Sequence, residues 1–313
     1  MTRSPLQAAV PEELVGIVGG PQETNDRIVD AWRDIGVPAG MLSPAEARFL
    51  LGPHDVGVGR FDVRESLDGI QPGIGVLTEL EREGVRVVNR ADALLNAHDK
   101  LRTARLLVAA DLPHPKTVHV RSLEDATDIA FPIVLKPRFG SWGVDVFRCE
   151  TCLELGRTLA EVRSRPWFVK HGALIQELVP PVGYDLRLVV AAGQVVGAIE
   201  RVARAREWRT NVALGATRRP VRPPREACDL GVMAAAVIGA DLVGVDLMPA
   251  AGGYVVLELN GAVEFDRTYD LGESNVFAAA AAALDLPRLP LCLRPTISSG
   301  RTPAPSRSRS RVS

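Results

Sequence analysis

Three oxygen-bearing side chains lie near the end of the sequence, where residues 242–260 have the pattern of a β-hairpin. A turn centred on Gly252 would place Asp246 directly opposite Glu258 in the paired strands. Because side chains alternate along a strand, Asn260 would share the face of Glu258. The hairpin therefore predicts two carboxylates and one amide oxygen on a single face.

The opposite face of this hairpin is predicted to be entirely apolar. It comprises Val243, Val245 and Leu247 on the first strand and Val255, Leu257 and Leu259 on the second. Hard oxygen ligands that converge from hydrophobic strands suit Mg²⁺ or Mn²⁺, and Mg²⁺ commonly combines one or two carboxylates with phosphate oxygens. The alternative is a pair of edge-strand acids that face water.

Lys136 is a second candidate for chemistry because it ends an apolar strand pattern and precedes a glycine-containing loop. The loop residues are Gly140, Ser141, Trp142 and Gly143. In such a position, a lysine ammonium and nearby backbone N–H groups can bind phosphate oxygens. The sequence contains neither the P-loop motif G-x-x-x-x-G-K-[ST] nor the dinucleotide fingerprint G-x-G-x-x-G. A solvent-exposed lysine is the alternative.

Arginine side chains form a third group of candidates. Asp185 and Arg187 are separated by the strand period of two, and Arg201, Arg209 and Asn211 follow. Such residues can clamp a planar carboxylate or a phosphoryl group. They can equally form surface ion pairs, which contribute little to stability.

The charge balance argues against one class of function. The 313 residues include 37 Lys and Arg against 38 Asp and Glu, for a formal net charge of −1. This balance argues against nucleic acid or an anionic membrane surface as the main partner. Only four of the basic residues are lysines, so a lysine in a suggestive context is notable. They are Lys100, Lys116, Lys136 and Lys170.

The lack of a targeting pattern and the small number of cysteines predict a cytoplasmic protein. No apolar run reaches the roughly 18 residues of a membrane span, and the N-terminus lacks the pattern of a secretory signal. Four cysteines are too few for a disulfide framework in a chain of this length. Cys149 and Cys152 form a C-x-x-C that we interpret as two unpaired thiols, with a metal or redox role as the alternative.

Hydrophobic periodicity divides the chain into five parts. These are a flexible N-terminus (1–11), a parallel α/β N-terminal domain (12–88), a small lobe that contains the glycine loop (89–170), a C-terminal lobe with two hairpins (171–288) and a disordered Pro/Ser/Arg-rich tail (289–313). One long helix is predicted over residues 91–110 at the start of the small lobe.

Taken in order, the motifs of this sequence resemble the ATP-grasp superfamily. They are N-R-A-D-A-L-L-N-A-H-D-K (89–100), L-P-H-P (112–115), F-P-I-V-L-K-P-R-F-G-S-W-G (131–143), Q-E-L-V (176–179), G-Y-D-L-R (183–187), E-W-R-T-N (207–211), V-G-V-D-L (243–247) and L-E-L-N (257–260). The chain is most similar to the RimK/LysX branch of carboxylate–amine ligases. The resemblance covers residues 12–288 and implies an α/β ATP-grasp fold with an N-terminal pre-ATP-grasp domain.

The resemblance implies a role for each candidate residue. Lys100 and Lys136 match lysines that contact the nucleotide phosphates, and residues 140–143 match a mobile loop that closes over them. Gln176, Glu177 and Val179 match the segment that reads adenine, and Asp185 matches an acidic residue of the nucleotide site. Asp246, Glu258 and Asn260 match the metal ligands. Arg187, Arg201, Arg209 and Asn211 match positions that hold phosphate and the acyl intermediate.

The implied reaction uses ATP and two Mg²⁺ or Mn²⁺ ions. A carboxylate attacks the γ-phosphate to give an acyl phosphate and ADP, and an amine then displaces phosphate. The implied substrates are an amino acid such as glutamate or 2-aminoadipate and a glutamyl carboxylate on a carrier protein, peptide or small molecule. Family resemblance also implies a homo-oligomer.

Two departures from the family pattern and two alternatives accompany this interpretation. Asp145 follows the loop where a basic residue or glycine is common, and it would repel phosphates unless it points away. Residues 261–265 look more like the LysX type than RimK.

One alternative is a nucleotide-binding protein without ligase turnover. The other gives the tail arginines, Arg301, Arg307, Arg309 and Arg311, an accessory role with polyanions.

Overall fold

The computed structural model describes residues 13–20 and 22–289. The predictions for the N-terminus (1–11), for Cys292 and for the tail from residue 290 onward lie outside the described residues. Within the described ranges, no helix combines the length and the apolar character that a membrane crossing requires.

The N-terminal domain is built on a four-stranded parallel sheet. Its elements are β1 (Val15–Gly19), α1 (Glu23–Asp34), β2 (Ala39–Leu42), α2 (Pro44–Leu50), β3 (Val56–Arg60), α3 (Gly75–Arg82) and β4 (Arg86–Val88). The strand order is β2-β1-β3-β4. The predicted alternation of strands and helices is confirmed, but the sequence analysis missed β2 and α2. The capping box between Ser43 and Glu46 is the signal that could have revealed α2.

The order of this sheet reverses between β1 and β3, since β2 lies on one side of β1 and the later strands lie on the other. In open parallel sheets, ligands bind outside the carboxyl ends of the strands at such a reversal. Asp62, two residues beyond the end of β3, lies at this position.

The prediction of one helix over residues 91–110 is wrong, because the chain forms two helices. They are α4 (Ala91–His98) and α5 (Lys100–Ala109). Asp99 separates them: its carboxylate accepts hydrogen bonds from the backbone N–H groups of Leu101 and Arg102, at 3.1 and 3.3 Å, and so caps α5. The break places Lys100 in the first turn of α5.

The small lobe contains an antiparallel sheet with two helices on one face. Its elements are β5 (Thr117–Val120), β6 (Ile133–Pro137), β7 (Phe147–Cys149), α6 (Cys152–Val162), α7 (Pro166–His171) and β8 (Ala173–Glu177). The helices pack on one face of the sheet, where Leu135 and Ile175 belong to the same buried cluster as Leu155. Lys136 and Gln176, the next residues along these strands, lie on the opposite face.

The predicted boundary between the lobes at residues 170 and 171 does not fit the sheet. This boundary assigns the strand after residue 171 to the C-terminal lobe, whereas β8 pairs between β5 and β6 of the small lobe. An apolar strand pattern does not identify its partner strands, because pairing depends on which distant segments fold next to it. We therefore include β8 in the small lobe.

The C-terminal lobe contains a five-stranded antiparallel sheet in the order β11-β10-β9-β12-β13. Its elements are β9 (Tyr184–Ala191), β10 (Gln194–Val202), β11 (Thr217–Pro220), α8 (Arg225–Ile238), β12 (Leu242–Ala250), β13 (Gly253–Asn260) and α9 (Val276–Ala283). Leu188 and Val245 on one face form a core with Ala234 of α8. Val189 on the other face joins a core with Phe277 of α9 and Trp32 of α1.

The C-x-x-C segment lies between β7 and α6. Cys149 is buried, which raises the pKa of its thiol, and Cys152 is exposed. Neither forms a disulfide within the part of the chain that the structure describes. This placement agrees with two unpaired thiols.

Candidate active site

All the predicted site residues line one cavity of about 210 Å³ between the two lobes and the N-terminal domain. The small lobe contributes Lys100, Lys136, Gly140, Ser141, Trp142, Gly143, Gln176 and Glu177, with Val179 just beyond β8. The C-terminal lobe contributes Asp185, Arg187, Arg201, Arg209, Asn211, Asp246, Glu258 and Asn260. Residues from seven of the eight motifs thus share one cavity.

The hairpin of β12 and β13 has the predicted pairing at its functional end. Asp246 lies opposite Glu258, as the turn position predicts. A β-bulge follows, so that Leu247 pairs with Val256 and not with Leu257. The prediction that Leu257 lies on the apolar face is therefore wrong: Leu257 lines the cavity and Val256 is buried in the core. The bulge inserts one extra residue and reverses the alternation locally.

Asp246 is held by two arginines of the same sheet face. Arg187, its register partner on β9, donates to both carboxylate oxygens at 2.7 Å. Arg201 donates to the second oxygen at 2.8 Å and also binds Asp185, which accepts a further bond from Thr210. Burial by itself would raise the pKa of Asp246, but the two arginines lower it to about 2. Asp246 is therefore ionised throughout the neutral range.

Glu258 and Asn260 are less tightly held than Asp246. Oε1 of Glu258 forms an ion pair with Nζ of Lys100 at 2.9 Å. The buried Nδ2 of Asn260 has no hydrogen-bond partner among the described residues. Within the described chain no three His, Cys, Asp or Glu side chains cluster closely enough to hold a metal. The donor set is two carboxylates and one amide oxygen, which fits a Mg²⁺ site completed by phosphate oxygens.

The two predicted phosphate lysines approach the cavity from different elements. Lys136 is only 9% exposed and donates to Oε1 of Gln176 at 2.8 Å. Burial lowers the pKa of Lys136 to about 8, against the opposing charge of Glu258. Lys100 contacts the carbonyl of Gly140 at 2.6 Å as well as Glu258. Lys100 therefore links the glycine loop to the candidate metal residues.

Gln176 lies deeper than its predicted contact with adenine suggests. Its side chain is buried and its amide nitrogen donates to Thr117 at 2.8 Å and to His114 at 3.3 Å. Its oxygen faces Lys136. The side chain thus contacts Lys136, and contact of Glu177 and Val179 with adenine stays a prediction.

The C-terminal end of the glycine loop is anchored by two sets of contacts. Asp145 points away from the cavity: its carboxylate binds Arg165 and accepts from the indole N–H of Trp167 at 2.7 Å. This pairing removes the expected repulsion between Asp145 and phosphates. On the other side, Arg209 donates to the carbonyl of Gly143 at 3.2 Å and is itself paired with Glu207.

The sequence analysis missed two charged residues that line the same cavity. Asp62 comes from the N-terminal domain and Arg218 from β11, where it lies opposite Arg201. Arg218 contacts Asp266 at 2.9 Å and Glu264 at 3.7 Å. The position of Asp62 after a parallel strand was the available signal, whereas β11 is too short and polar to stand out from its sequence.

Comparison with known proteins places these observations in a family context. Residues 97–278 match the RimK-like ATP-grasp domain family. A probable alpha-L-glutamate ligase of Thioalkalivibrio sulfidiphilus is 35% identical over 60% of this chain and 63% of its own length. The coenzyme gamma-F420-2:alpha-L-glutamate ligase of Methanocaldococcus jannaschii is 31% identical over 63% of this chain and 69% of its own length. The chain thus spans just under two thirds of the first relative.

Solved structures show the same fold at lower identity. A RimK domain ATP-grasp protein from Sphaerobacter thermophilus has a TM-score of 0.63 at 19% identity, over 87% of this chain and 98% of its own. A D-alanine–D-alanine ligase from Bacillus anthracis has a TM-score of 0.64 at 15% identity, over 87% of this chain and 95% of its own. The predicted fold is confirmed by these neighbours.

Proposed function

Because the chain belongs to the RimK-like ATP-grasp family, we propose that it is an ATP-dependent ligase that joins a carboxylate to an amine and releases ADP and phosphate. The observation that carries this proposal is the shared cavity, in which two lysines and a glycine loop face an acidic strand surface. Cationic groups and backbone N–H groups bind phosphates, and paired carboxylates bind the accompanying divalent ion.

Different residues of this chain have different roles in the proposed phosphoryl transfer. The ammonium groups of Lys100 and Lys136 hold the phosphates and offset the negative charge that develops on the transferring group. The loop from Gly140 to Gly143 covers them and excludes water, which protects an acyl phosphate from hydrolysis. Arg187 and Arg201 keep the carboxylate of Asp246 ionised and oriented.

Asp246, Glu258 and Asn260 would hold the divalent ions, for which Mg²⁺ is the best fit. When bound, these ions would neutralise phosphate charge and orient the γ-phosphoryl group for in-line attack. Because Glu258 is paired with Lys100, binding of a cation there would also free the ammonium of Lys100 for a phosphate oxygen.

The proposed reaction has two steps. A carboxylate oxygen of one substrate attacks the γ-phosphorus, the bond to the bridging oxygen breaks, and ADP leaves. The amine nitrogen of the second substrate then attacks the acyl carbon, inorganic phosphate leaves with the electron pair, and the amine loses a proton. No side chain of the protein forms a covalent bond in this scheme.

We assign the substrates to the part of the cavity lined by Arg218 and Glu264, which lie 3.7 Å apart, and by Asp62 of the N-terminal domain. A carboxylate side chain can bind the ammonium of an amino acid, and an arginine can bind its carboxylate. The matched relatives are named for glutamate ligation to coenzyme F420 and for ligation of alpha-aminoadipate to LysW. An amino acid such as glutamate or 2-aminoadipate, and a glutamyl acceptor on a small molecule, peptide or carrier protein, are therefore our proposed substrates.

The first test is a turnover assay with the purified chain. Mg-ATP, glutamate or 2-aminoadipate, and a panel of glutamyl acceptors should give equal amounts of ADP, phosphate and amide, with the amide identified by mass spectrometry. Replacement of Glu258 by Gln should lower turnover at least 100-fold, because the metal loses an anionic ligand. The matched variant Glu226→Gln changes an exposed residue of α8 and should retain full activity.

Three outcomes would count against the proposal. Binding of Mg-ATP without phosphate release, across the whole panel of acceptors, would favour the nucleotide-binding alternative. Full activity of the Glu258→Gln variant, or activity that persists after removal of divalent ions with EDTA, would refute the assignment of the metal residues.

A further inference from the structure

His114 lies where the small lobe meets the strand that carries the candidate metal residues. It belongs to the connection between α5 and β5, and this connection is bound to β13 at a single residue, Val256. The backbone N–H of Val256 donates to the carbonyl of Pro113 at 2.8 Å. The carbonyl of Val256 in turn lies 2.7 Å from Nδ1 of His114. Two bonds thus fasten this connection to β13 two residues before Glu258.

The partners of the His114 ring determine its tautomer. Nδ1 faces a carbonyl oxygen, which only accepts, so Nδ1 carries the proton. Nε2 is then an acceptor, and it lies 3.3 Å from the amide nitrogen of Gln176. Burial lowers the pKa of His114 to about 4, so the ring is neutral at physiological pH and can donate and accept at the same time.

The orientation of the Gln176 amide follows from its surroundings. The hydroxyl oxygen of Thr117 lies 2.9 Å from the carbonyl of Pro115 and 3.2 Å from Nε2 of His114, and its one proton goes to the nearer of these two acceptors, Pro115. Toward Gln176, at 2.8 Å, the hydroxyl therefore accepts. His114 accepts the second N–H of the same amide. Both N–H groups of Gln176 are thus directed toward β5 and the connection, and Oε1 is left to face Lys136.

The ammonium of Lys136 completes this chain of bonds. It donates to Oε1 of Gln176 at 2.8 Å and is almost fully buried. A reversed Gln176 amide would turn N–H groups toward a buried positive charge, which is unfavourable. The bonds therefore run from Val256 through His114 and Gln176 to Lys136, and they cross from the C-terminal lobe to the small lobe.

We propose that His114 is a positioning residue that fixes the ammonium of Lys136 relative to β13, the strand of Glu258 and Asn260. Lys136 and Glu258 belong to different lobes but act on the same phosphates, so their relative position governs nucleotide binding. The inference rests on the proposed function, because it assumes that Lys136 binds the phosphates of ATP.

Two substitutions separate the two bonds of His114. The amide nitrogen of His114→Asn can occupy the place of Nδ1 and retain the bond to Val256, but the side chain is too short to reach Gln176. The longer amide of His114→Gln can still accept from Gln176. We expect His114→Asn to raise the Kd and KM for ATP about tenfold, the factor expected when a hydrogen bond to a charged network is lost. His114→Gln should stay within about twofold of the unsubstituted protein.

A double-substitution cycle distinguishes positioning from a general loss of structure. In a Gln176→Met background the chain of bonds is already broken, so His114→Asn should have no further effect on the Kd for ATP. Titration calorimetry with ATP and, separately, with ADP gives Kd without turnover, and the KM for the amino acid should not change. The control His119→Asn lies on the same strand, β5, and removes a bond to the carbonyl of His171 that is outside this chain of bonds, so it should leave the Kd for ATP unchanged.

The outcomes for His114 and for the proposed function are separable. Failure of the unsubstituted protein to bind ATP or to release phosphate would overturn the proposed function. An active protein in which His114→Asn binds ATP normally, or in which its effect adds to that of Gln176→Met, would overturn the role of His114 and leave the ligase proposal intact.

Discussion

At the scale of single residues, the cavity combines charges of both signs that are buried together. Asp246 is kept ionised by Arg187 and Arg201, and its pKa is about 2. Lys136 lies in the same cavity and has no directly bonded carboxylate among the residues that the structure describes, and burial lowers its pKa to about 8. Because a buried ammonium without an ion-pair partner is unfavourable, an anionic ligand should gain from binding there. Phosphate is such a ligand.

The pKa of Lys136 predicts a pH dependence. Below pH 8 the free enzyme holds the charged ammonium, and above pH 8 it loses this proton and with it the attraction for phosphate. We therefore expect kcat/KM for ATP to be constant near pH 7 and to fall as the pH rises above about 8, approaching tenfold per pH unit. Bound phosphates favour the charged form, so the corresponding fall in kcat should occur at higher pH.

The control for this pH profile is Lys116→Gln. Lys116 is exposed and paired with Asp128 at 2.7 Å, so its loss should leave the profile unchanged. A kcat/KM for ATP that stays constant up to pH 10 would exclude Lys136 as a phosphate ligand with this pKa.

At the scale of elements, the glycine loop depends on a close approach that a side chain would prevent. Gly143 has a φ of +72°, a conformation that L residues seldom adopt. A Cβ atom at this position would lie 2.7 Å from Oδ1 of Asn211 and 3.1 Å from Cδ1 of Leu214. Arg209 holds the same residue through its carbonyl. The loop and residues 209–214 therefore close on each other only with glycine at 143.

We predict that Gly143→Ala weakens this closure. The KM for ATP should rise and the ratio of phosphate released to amide formed should increase above one, because water can reach the acyl phosphate. Gly193→Ala is the matched control, since its φ of +74° is the same but no atom lies within 4 Å of its Cβ position. Both variants should lose about 1 kcal/mol of stability from backbone strain, whereas only Gly143→Ala should change the product ratio. An equal ratio in both would contradict the closure model.

At the scale of the whole molecule, the N-terminal domain is joined to the C-terminal lobe through buried polar bonds. Arg60, at the end of β3, is fully buried, and burial lowers the pKa of its guanidinium to about 10. It donates to Asn25 at 2.9 Å, to the carbonyl of Val263 at 2.8 Å and to that of Ala262 at 3.4 Å. These bonds hold residues 261–265, which follow the candidate metal ligand Asn260 and lead to Glu264 in the cavity.

Replacement of Arg60 by Met should therefore affect both stability and substrate binding. Two carbonyl groups would be left buried without donors, so we expect the free energy of unfolding to fall by about 3 kcal/mol in chemical denaturation. The KM for the amino acid should rise more than the KM for ATP, because the loosened segment lines the substrate end of the cavity. Arg27→Met, at a half-exposed pair with Glu23, should change stability by less than about 0.5 kcal/mol. A selective rise in the KM for ATP would contradict this arrangement.

Much of the candidate site could be predicted from the sequence, because the patterns that indicate it lie among neighbouring residues. The period of two in a strand placed Asp246 opposite Glu258, and the glycine loop after Lys136 predicted a phosphate site. Where a local pattern was interrupted, the prediction failed. The bulge moved Leu257 into the cavity, and the cap at Asp99 divided a helix that periodicity alone made continuous.

From the sequence, the candidate residues and most of the strands and helices that present them could be predicted, since side-chain type and periodicity are properties of neighbouring residues. The tertiary structure sets which distant residues meet. It placed β8 in the small lobe, paired Arg187 with Asp246, and brought Asp62 and His114 to the cavity and its border. Those contacts depend on which segments pack together, and a single sequence contains no local signal for that choice.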